Sequence, residues 1–262
     1  MTDEHLALED GWHRHTPAGD SVLRDFVDSS ARYVTTVGRA VGAVVVDDDE
    51  IAGAHHGTGF PFANLSIVRQ PLAPDAWPDV IDRLRGAFPP GLPFVVASPF
   101  ATPDLVALGA HLIGHPPFMV RPPGPPAAAP TLAGFTIDTV SDRGALAEFE
   151  ATLITAYPAA PGGSLFTEGI LTAPDVTLWL ARLDGRPVAT AAGHHGGMVN
   201  GVEIISCLPE IRGRGIGEAI TWMPTLARPE HPGALIASDS GRPVYTRMGY
   251  IALLRFTLWL VS

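Results

Sequence analysis

Apolar and polar positions alternate in short, regular bursts along this chain, and each burst is bounded by glycine, proline or acidic residues. In the first half, Val41–Val46, Leu65–Val68, Phe94–Ala97 and Phe118–Val120 are β-branched or apolar runs of strand length. Apolar residues return at helical spacing in Ser21–Tyr33, Ala76–Phe88 and Pro103–Leu112. Residues 1–20 are polar and carry no period. Asp47-Asp48-Asp49-Glu50 reads as a solvated hairpin tip, because four consecutive acids lack the spacing of a calcium loop. His55 and His56 point to opposite faces of a strand, with no partner at a zinc spacing, so no metal site is expected there.

Residues 121–130, RPPGPPAAAP, interrupt this rhythm. Five prolines in ten residues suit neither sheet nor helix interiors, which predicts a linker and a domain boundary. Beyond it the pattern predicts a strand over Phe135–Val140 and a helix over Asp142–Tyr157 with Ser141 as its N-cap. Pro158–Gly163 breaks the chain before a short helix over Ser164–Leu171. Val176–Leu183, Arg186–His194 and Met198–Cys207 follow as strands, with hairpin turns at Asp184-Gly185 and Gly196-Gly197. A helix from Ile216 should end or kink at Pro224. Ala234–Ala237 reads as a strand, Pro243–Met248 as a helix, and Ile251–Val261 as one long terminal strand.

Composition narrows the field. Hydrophobic residues make up 46% of the 262, enough for a large core. No uncharged apolar run reaches a membrane span, and the polar N-terminus lacks a secretory pattern. A single cysteine fits a reducing cytoplasm. The net charge of −10, without basic clusters, argues against nucleic acid as the main partner, and without an apolar span no membrane partner is expected.

The chemistry concentrates in Val202–Gly217, VEIISCLPEIRGRGIG, where an apolar strand runs through Pro209 into Arg212, Gly213, Arg214, Gly215, Ile216 and Gly217 at a helix start. Bare backbone, free N–H groups and the positive end of a helix dipole make such a junction a seat for phosphate. The stretch resembles the acetyl-CoA signature of the GCN5-related N-acetyltransferases (GNAT), with Arg212, Gly215 and Gly217 at the three key places. Downstream, Leu235–Tyr250, LIASDSGRPVYTRMGY, carries the Ser, Gly, Pro-Val-Tyr and Gly-Tyr spacing common in the same family. The resemblance implies an α/β (α+β) fold, a mixed sheet flanked by helices, over residues 131–262.

It also implies roles. The loop amides would hold the CoA pyrophosphate, and the backbone of Ser206, Cys207 and Leu208 would pair with the pantetheine arm. Tyr245 would serve as general acid near the sulfur, assisted by Ser238. Cys207 reads as a strand residue rather than a nucleophile. Glu203 is the candidate base, with His194, His195 or water as alternatives. Tyr157, Phe166 and Glu168 fall where the family lines its acceptor pocket. Acetyl-CoA is then the co-substrate, no metal is needed, and the activity is direct acetyl transfer to an amine of a small molecule or peptide. A non-catalytic acyl-CoA-binding or sensor protein is the alternative. Glycines spaced G-x-G-x-G after hairpin strands do not fit a dinucleotide fold.

Shifted by 140 positions, Val95–Ala110 lies against Leu235–Tyr250, with Ser98 facing Ser238, Pro103 facing Pro243 and Gly109 facing Gly249. The same shift sets Leu72–Trp77, LAPDAW, against Arg212–Gly217. Pro74 and Asp75 there cannot serve an anion. Residues 1–120 are therefore expected to be a degenerate copy of the fold, in a tandem arrangement with one competent CoA site.

Overall fold

The computed structural model describes residues 22–126, 132–157 and 165–262. The first half runs α1 (Val22–Val41), β1 (Val44–Asp47), β2 (Ile51–His55), β3 (Leu65–Val68), α2 (Trp77–Ala87), β4 (Phe94–Ser98), β5 (Ala110–Gly114) and β6 (Pro117–Arg121). The second runs β7 (Phe135–Thr139), α3 (Arg143–Ala156), β8 (Val176–Leu183), β9 (Arg186–His194), β10 (Asn200–Cys207), α4 (Ile216–Thr225), β11 (Gly233–Ile236), α5 (Arg242–Arg247), β12 (Ile251–Arg255) and β13 (Thr257–Val261). Two mixed sheets result, ordered β1-β2-β3-β4-β13-β5 and β12-β6-β11-β10-β9-β8-β7.

The sheets do not divide at residues 121–130. Strand β6 lies in the second sheet between β11 and β12, and β13 lies in the first between β4 and β5. Each half thus lends its last strand to the other, at equivalent places. The exchange confirms the internal repeat: β3 and β4 correspond to β10 and β11, and both pairs are parallel. Arg121 fixes the point of departure. It donates to the carbonyls of Met248, Pro122, Gly124 and Pro125, and its guanidinium lies 4.8 Å from the Trp222 ring. The halves meet on an aromatic trio, Phe26 of α1, Phe118 of β6 and Phe256, with ring centroids 4.5 to 6.2 Å apart.

Several elements differ from the pattern-based expectation. Helix α1 continues to Val41 rather than stopping at Tyr33. The β-branched run Val34–Val37 is a poor helix former by itself, but Phe26, Ser30, Val34 and Val37 make one buried stripe that outweighs propensity. Gly42 ends the helix at φ 77°, with Ala43 N–H donating to Gly38 O at 2.8 Å. The helix expected over Pro103–Leu112 is absent. A single 3-10 turn, Val106–Leu108, stops at left-handed Gly109, and β5 follows, drawn into the sheet by β13. The N-cap of α3 is Asp142, whose side chain accepts from Ala145 N–H, not Ser141. The expected short helix near residue 170 is a 3-10 turn, Glu168–Thr172, and the expected break at 158–163 lies outside the described residues. The long terminal strand is two strands in two sheets, parted at fully buried Phe256. The hairpin at Asp184-Gly185 forms as expected, with positive φ at both residues.

Candidate functional site

Strand β10 carries the defining irregularity. Its pairing to β9 slips by one residue between Glu203 and Ser206, a β-bulge, and Ile204 stands at φ 52°. Positive φ on a β-branched residue costs of order 1–3 kcal/mol and persists only where the surroundings enforce it. Thr190 helps hold the bulge, with its hydroxyl donating to Ile204 O and meeting the Ser206 hydroxyl at 2.7 Å. The consequence appears on the other edge. Strand β10 pairs with β11 only at Asn200–Gly233 and Gly201–Ala234, and from Val202 onward the two strands part. An open wedge with unpaired backbone is left in the middle of the sheet. In the first half, the corresponding strands pair from Leu65–Val95 through Ile67–Ala97, and the wedge is closed.

The wedge ends at the glycine loop. After the 3-10 turn Pro209–Ile211, Gly213 and Gly215 both adopt left-handed φ, 77° and 81°, which suits glycine alone. Gly215 is the N-cap of α4 and offers no side chain. The first helical bond is Ala219 N–H to Gly215 O, so the amides of Ile216, Gly217 and Glu218 precede the ladder. A side chain on Gly217 would meet Cys207 Sγ at 3.4 Å. Arg212 is held by Cys207 O and Ala156 O, both at 3.2 Å, and so braces the loop against β10 and α3. Arg214 is exposed.

The residues named from the sequence fall into two groups. Glu203, Ser238 and Tyr245 line one cavity of about 780 Å³ between the two halves. Ser206, Cys207 and Leu208 continue along β10 toward the loop. Leu208 is committed internally, its N–H to Val188 O and its carbonyl to Ile211 N–H. Alternation along the strand turns the Cys207 amide the other way, to the open edge. Burial pushes the Cys207 thiol up to about 11, which makes it a poor nucleophile, as expected of a strand residue.

Glu203 faces the cavity from the bulge, and burial raises its carboxyl from the ordinary 4.5 to about 8. Tyr245, on α5, is 8% exposed. Burial, then the neighbouring Tyr157, Tyr250, Cys207 and Glu203, raise its phenol well above the usual range, so the hydroxyl keeps its proton. Ser238 Oγ accepts from Gly241 N–H at 3.1 Å and shapes the turn that presents α5. Ser98 closes the equivalent turn of the first half, accepting from Phe100 N–H at 3.1 Å.

Neither histidine candidate reaches the cavity lining. His194 is buried between the halves, with Nδ1 2.9 Å from Ser29 Oγ. His195 packs edge-on against Trp179 at 5.8 Å. Burial lowers both to about 4, assisted by Arg32 at His194 and Arg228 at His195. Of the expected acceptor-pocket residues, Tyr157 and Phe166 line the cavity. Glu168 does not, and instead pairs with Arg143 at 3.1 Å on the surface.

Sequence reasoning missed the first half's share. Tyr33 of α1 lines the cavity, and its phenol is raised by burial and by the charge of Glu203. Phe60, Leu65 and Ala97 complete that wall. Only the apolar character of these positions was visible in the sequence, and it does not distinguish a core from a cavity wall.

No family model and no curated protein matches this chain. Solved structures do. A GCN5-related N-acetyltransferase from Kribbella flavida is 22% identical, over 90% of this chain and 94% of that one, with a TM-score of 0.64. A GCN5-related N-acetyltransferase from Sphaerobacter thermophilus is 14% identical, over 90% and 92%, at 0.52. This chain therefore has the fold of the GCN5-related N-acetyltransferases. It takes the tandem form, and is similar to a tandem GNAT protein from the clavulanic acid biosynthesis pathway at 13% identity, over 80% and 78%, at 0.50.

Proposed function

We infer that this protein is an acetyl-CoA-dependent N-acetyltransferase whose one cofactor site lies in the second half. The observation that carries this reading is the wedge between β10 and β11, which opens onto the uncapped start of α4 at one end and the Glu203 cavity at the other. The residues fit the cofactor. Loop amides from Gly213 to Glu218 would receive the diphosphate, and the open edge of β10 would receive the pantetheine amides as an added strand. Bound there, acetyl-CoA supplies an acyl group on a good thiol leaving group.

The chain's own residues do the rest. Glu203 takes a proton from the acceptor ammonium, directly or through water, which leaves a neutral nitrogen to attack the acyl carbon. A base with a pKa of about 8 suits this task near neutrality. As the carbon–sulfur bond breaks, the Tyr245 hydroxyl gives its proton to the sulfur and regains one from the acetylated nitrogen. The net change is one amide, one free thiol and one proton released through Glu203. Bulge geometry holds Glu203 toward the acceptor, and burial keeps water from competing.

The test is release of free CoA thiol from acetyl-CoA with a panel of amines. Turnover is expected, and Tyr245→Phe should lower kcat about tenfold while leaving the Kd for CoA unchanged. Tight CoA binding with no thiol release for any amine would leave a non-catalytic acyl-CoA-binding protein instead.

A further inference from the structure

The two halves contribute unequally to the cavity. The second half supplies the polar end, with Glu203, Ser238 and Tyr245, and also apolar lining from Leu153, Ile154, Leu165 and Phe166. The facing wall belongs to the first half and is apolar apart from Tyr33, His56 and His115; it includes Val34 and Val37 on α1, Phe60 after β2, and Leu65 and Ala97 on the paired strands β3 and β4. Leu65 and Ala97 are among the residues whose pairing closes the first half's wedge. The paired seam that leaves no open edge there is thus also a wall of the cavity.

Charge is sparse in this lining. Among the described residues it holds the carboxylates Glu203 and Asp239 and the guanidinium Arg255. Asp239 and Arg255 are exposed at the rim, and Arg255 donates to His115 O at 2.6 Å. Only Glu203 stands inside. A ligand with one ammonium group finds its partner there, and its positive charge favours the ionised form of the Glu203 carboxyl, which burial alone keeps protonated up to about pH 8. A second ammonium would lie against valine and phenylalanine, where an unpaired charge is costly. A peptide would strand its backbone amides on the same wall, each at a cost of desolvation. An apolar body gains from the same surface, at about 25 cal/mol per Å² removed from water.

We propose that the acceptor is a primary amine bearing a single positive charge on a compact apolar or aromatic body. The body seats against the first-half wall formed by α1, Phe60, β3 and β4, and the nitrogen rests at Glu203. The degenerate half is then the acceptor-recognition half. This assignment rests on the acetyltransferase reading for its chemistry, but not for its binding.

Calorimetry on the full chain tests it, with 2-phenylethylamine and spermidine titrated first without and then with CoA. Phenylethylamine should bind the CoA-free protein about tenfold more tightly than spermidine. Phe60→Ala should weaken phenylethylamine about tenfold and leave the Kd for CoA unchanged. Phe62 also lines the cavity, and Phe62→Glu, at a position 52% exposed and therefore tolerant of charge, should narrow the gap between the two amines. Tighter binding of spermidine, or phenylethylamine affinity unmoved by both variants, would overturn the proposal. Failure of CoA to bind, with phenylethylamine still held in a Phe60-dependent way, would instead count against the acetyltransferase reading.

Discussion

At the scale of single residues, Glu203 carries the most unusual chemistry in the chain. Its carboxyl is raised to about 8 because it is buried beside Tyr33 and Tyr245, not because a like charge opposes it. Two consequences follow from one shift. In the proposed catalysis the ionised form is the base, so kcat/KM should climb with pH along a limb with an apparent pKa near 8. Glu203→Gln should remove that limb and lower kcat/KM about 100-fold. In stability, the folded protein keeps a proton on Glu203 between about 4.5 and 8 that the unfolded chain has released. Its contribution is therefore fully present below about pH 4.5 and lost as pH rises through 8. Denaturant titrations at pH 5 and pH 9 should show the wild type losing stability relative to the Gln variant. A flat profile, or a wild type that gains stability relative to the Gln variant as pH rises, would contradict this placement of Glu203.

At the scale of elements, what was legible in the sequence and what was not divide along one physical line. Features set by local backbone demands were legible. Asp184-Gly185 makes its hairpin, and Gly213 and Gly215 take the left-handed φ of this strand-to-helix turn. Features set by distant partners were not. Residues 251–261 have the alternation of one strand, and nothing local reveals that Phe256 divides it between two sheets. Leu105 and Leu108 carry helical spacing, yet β13 draws the following residues into a strand. The opening beside β10 depends on a bulge that no residue type announces, since Ile204 is an unfavourable choice for positive φ. Tyr33 joined the site through a fold contact with Glu203, 170 positions away, and its own neighbourhood gives no sign of it.

The strand exchange carries its own prediction. Residues 1–126 alone lack β13 and leave β4 and β5 unjoined, while residues 132–262 alone lack β6 and leave β11 and β12 unjoined. Each half also forfeits part of the Phe26–Phe118–Phe256 contact. Neither fragment should show a cooperative unfolding transition by circular dichroism, whereas the full chain should unfold in one. In the full chain, Phe256→Ala should cost about 3–5 kcal/mol. An independently stable second half would show that the exchanged strands are dispensable.

At the scale of the whole molecule, two copies of one fold have been given different work. The second copy has the bulge, the wedge and a left-handed glycine at the helix N-cap. The first copy has Pro74 and Asp75 before α2 and a paired β3–β4 seam in the corresponding places. On the proposed reading the repeat has one cofactor seat, with its partner copy as the opposite wall of the cavity. Titration of coenzyme A into the full chain by calorimetry addresses this most directly. The expected result is a single site per chain, abolished by Gly215→Glu in a protein whose unfolding transition is intact, because that side chain would enter the anion seat at a left-handed φ. No binding by the wild type, two sites per chain, or undiminished affinity in the variant would contradict the account.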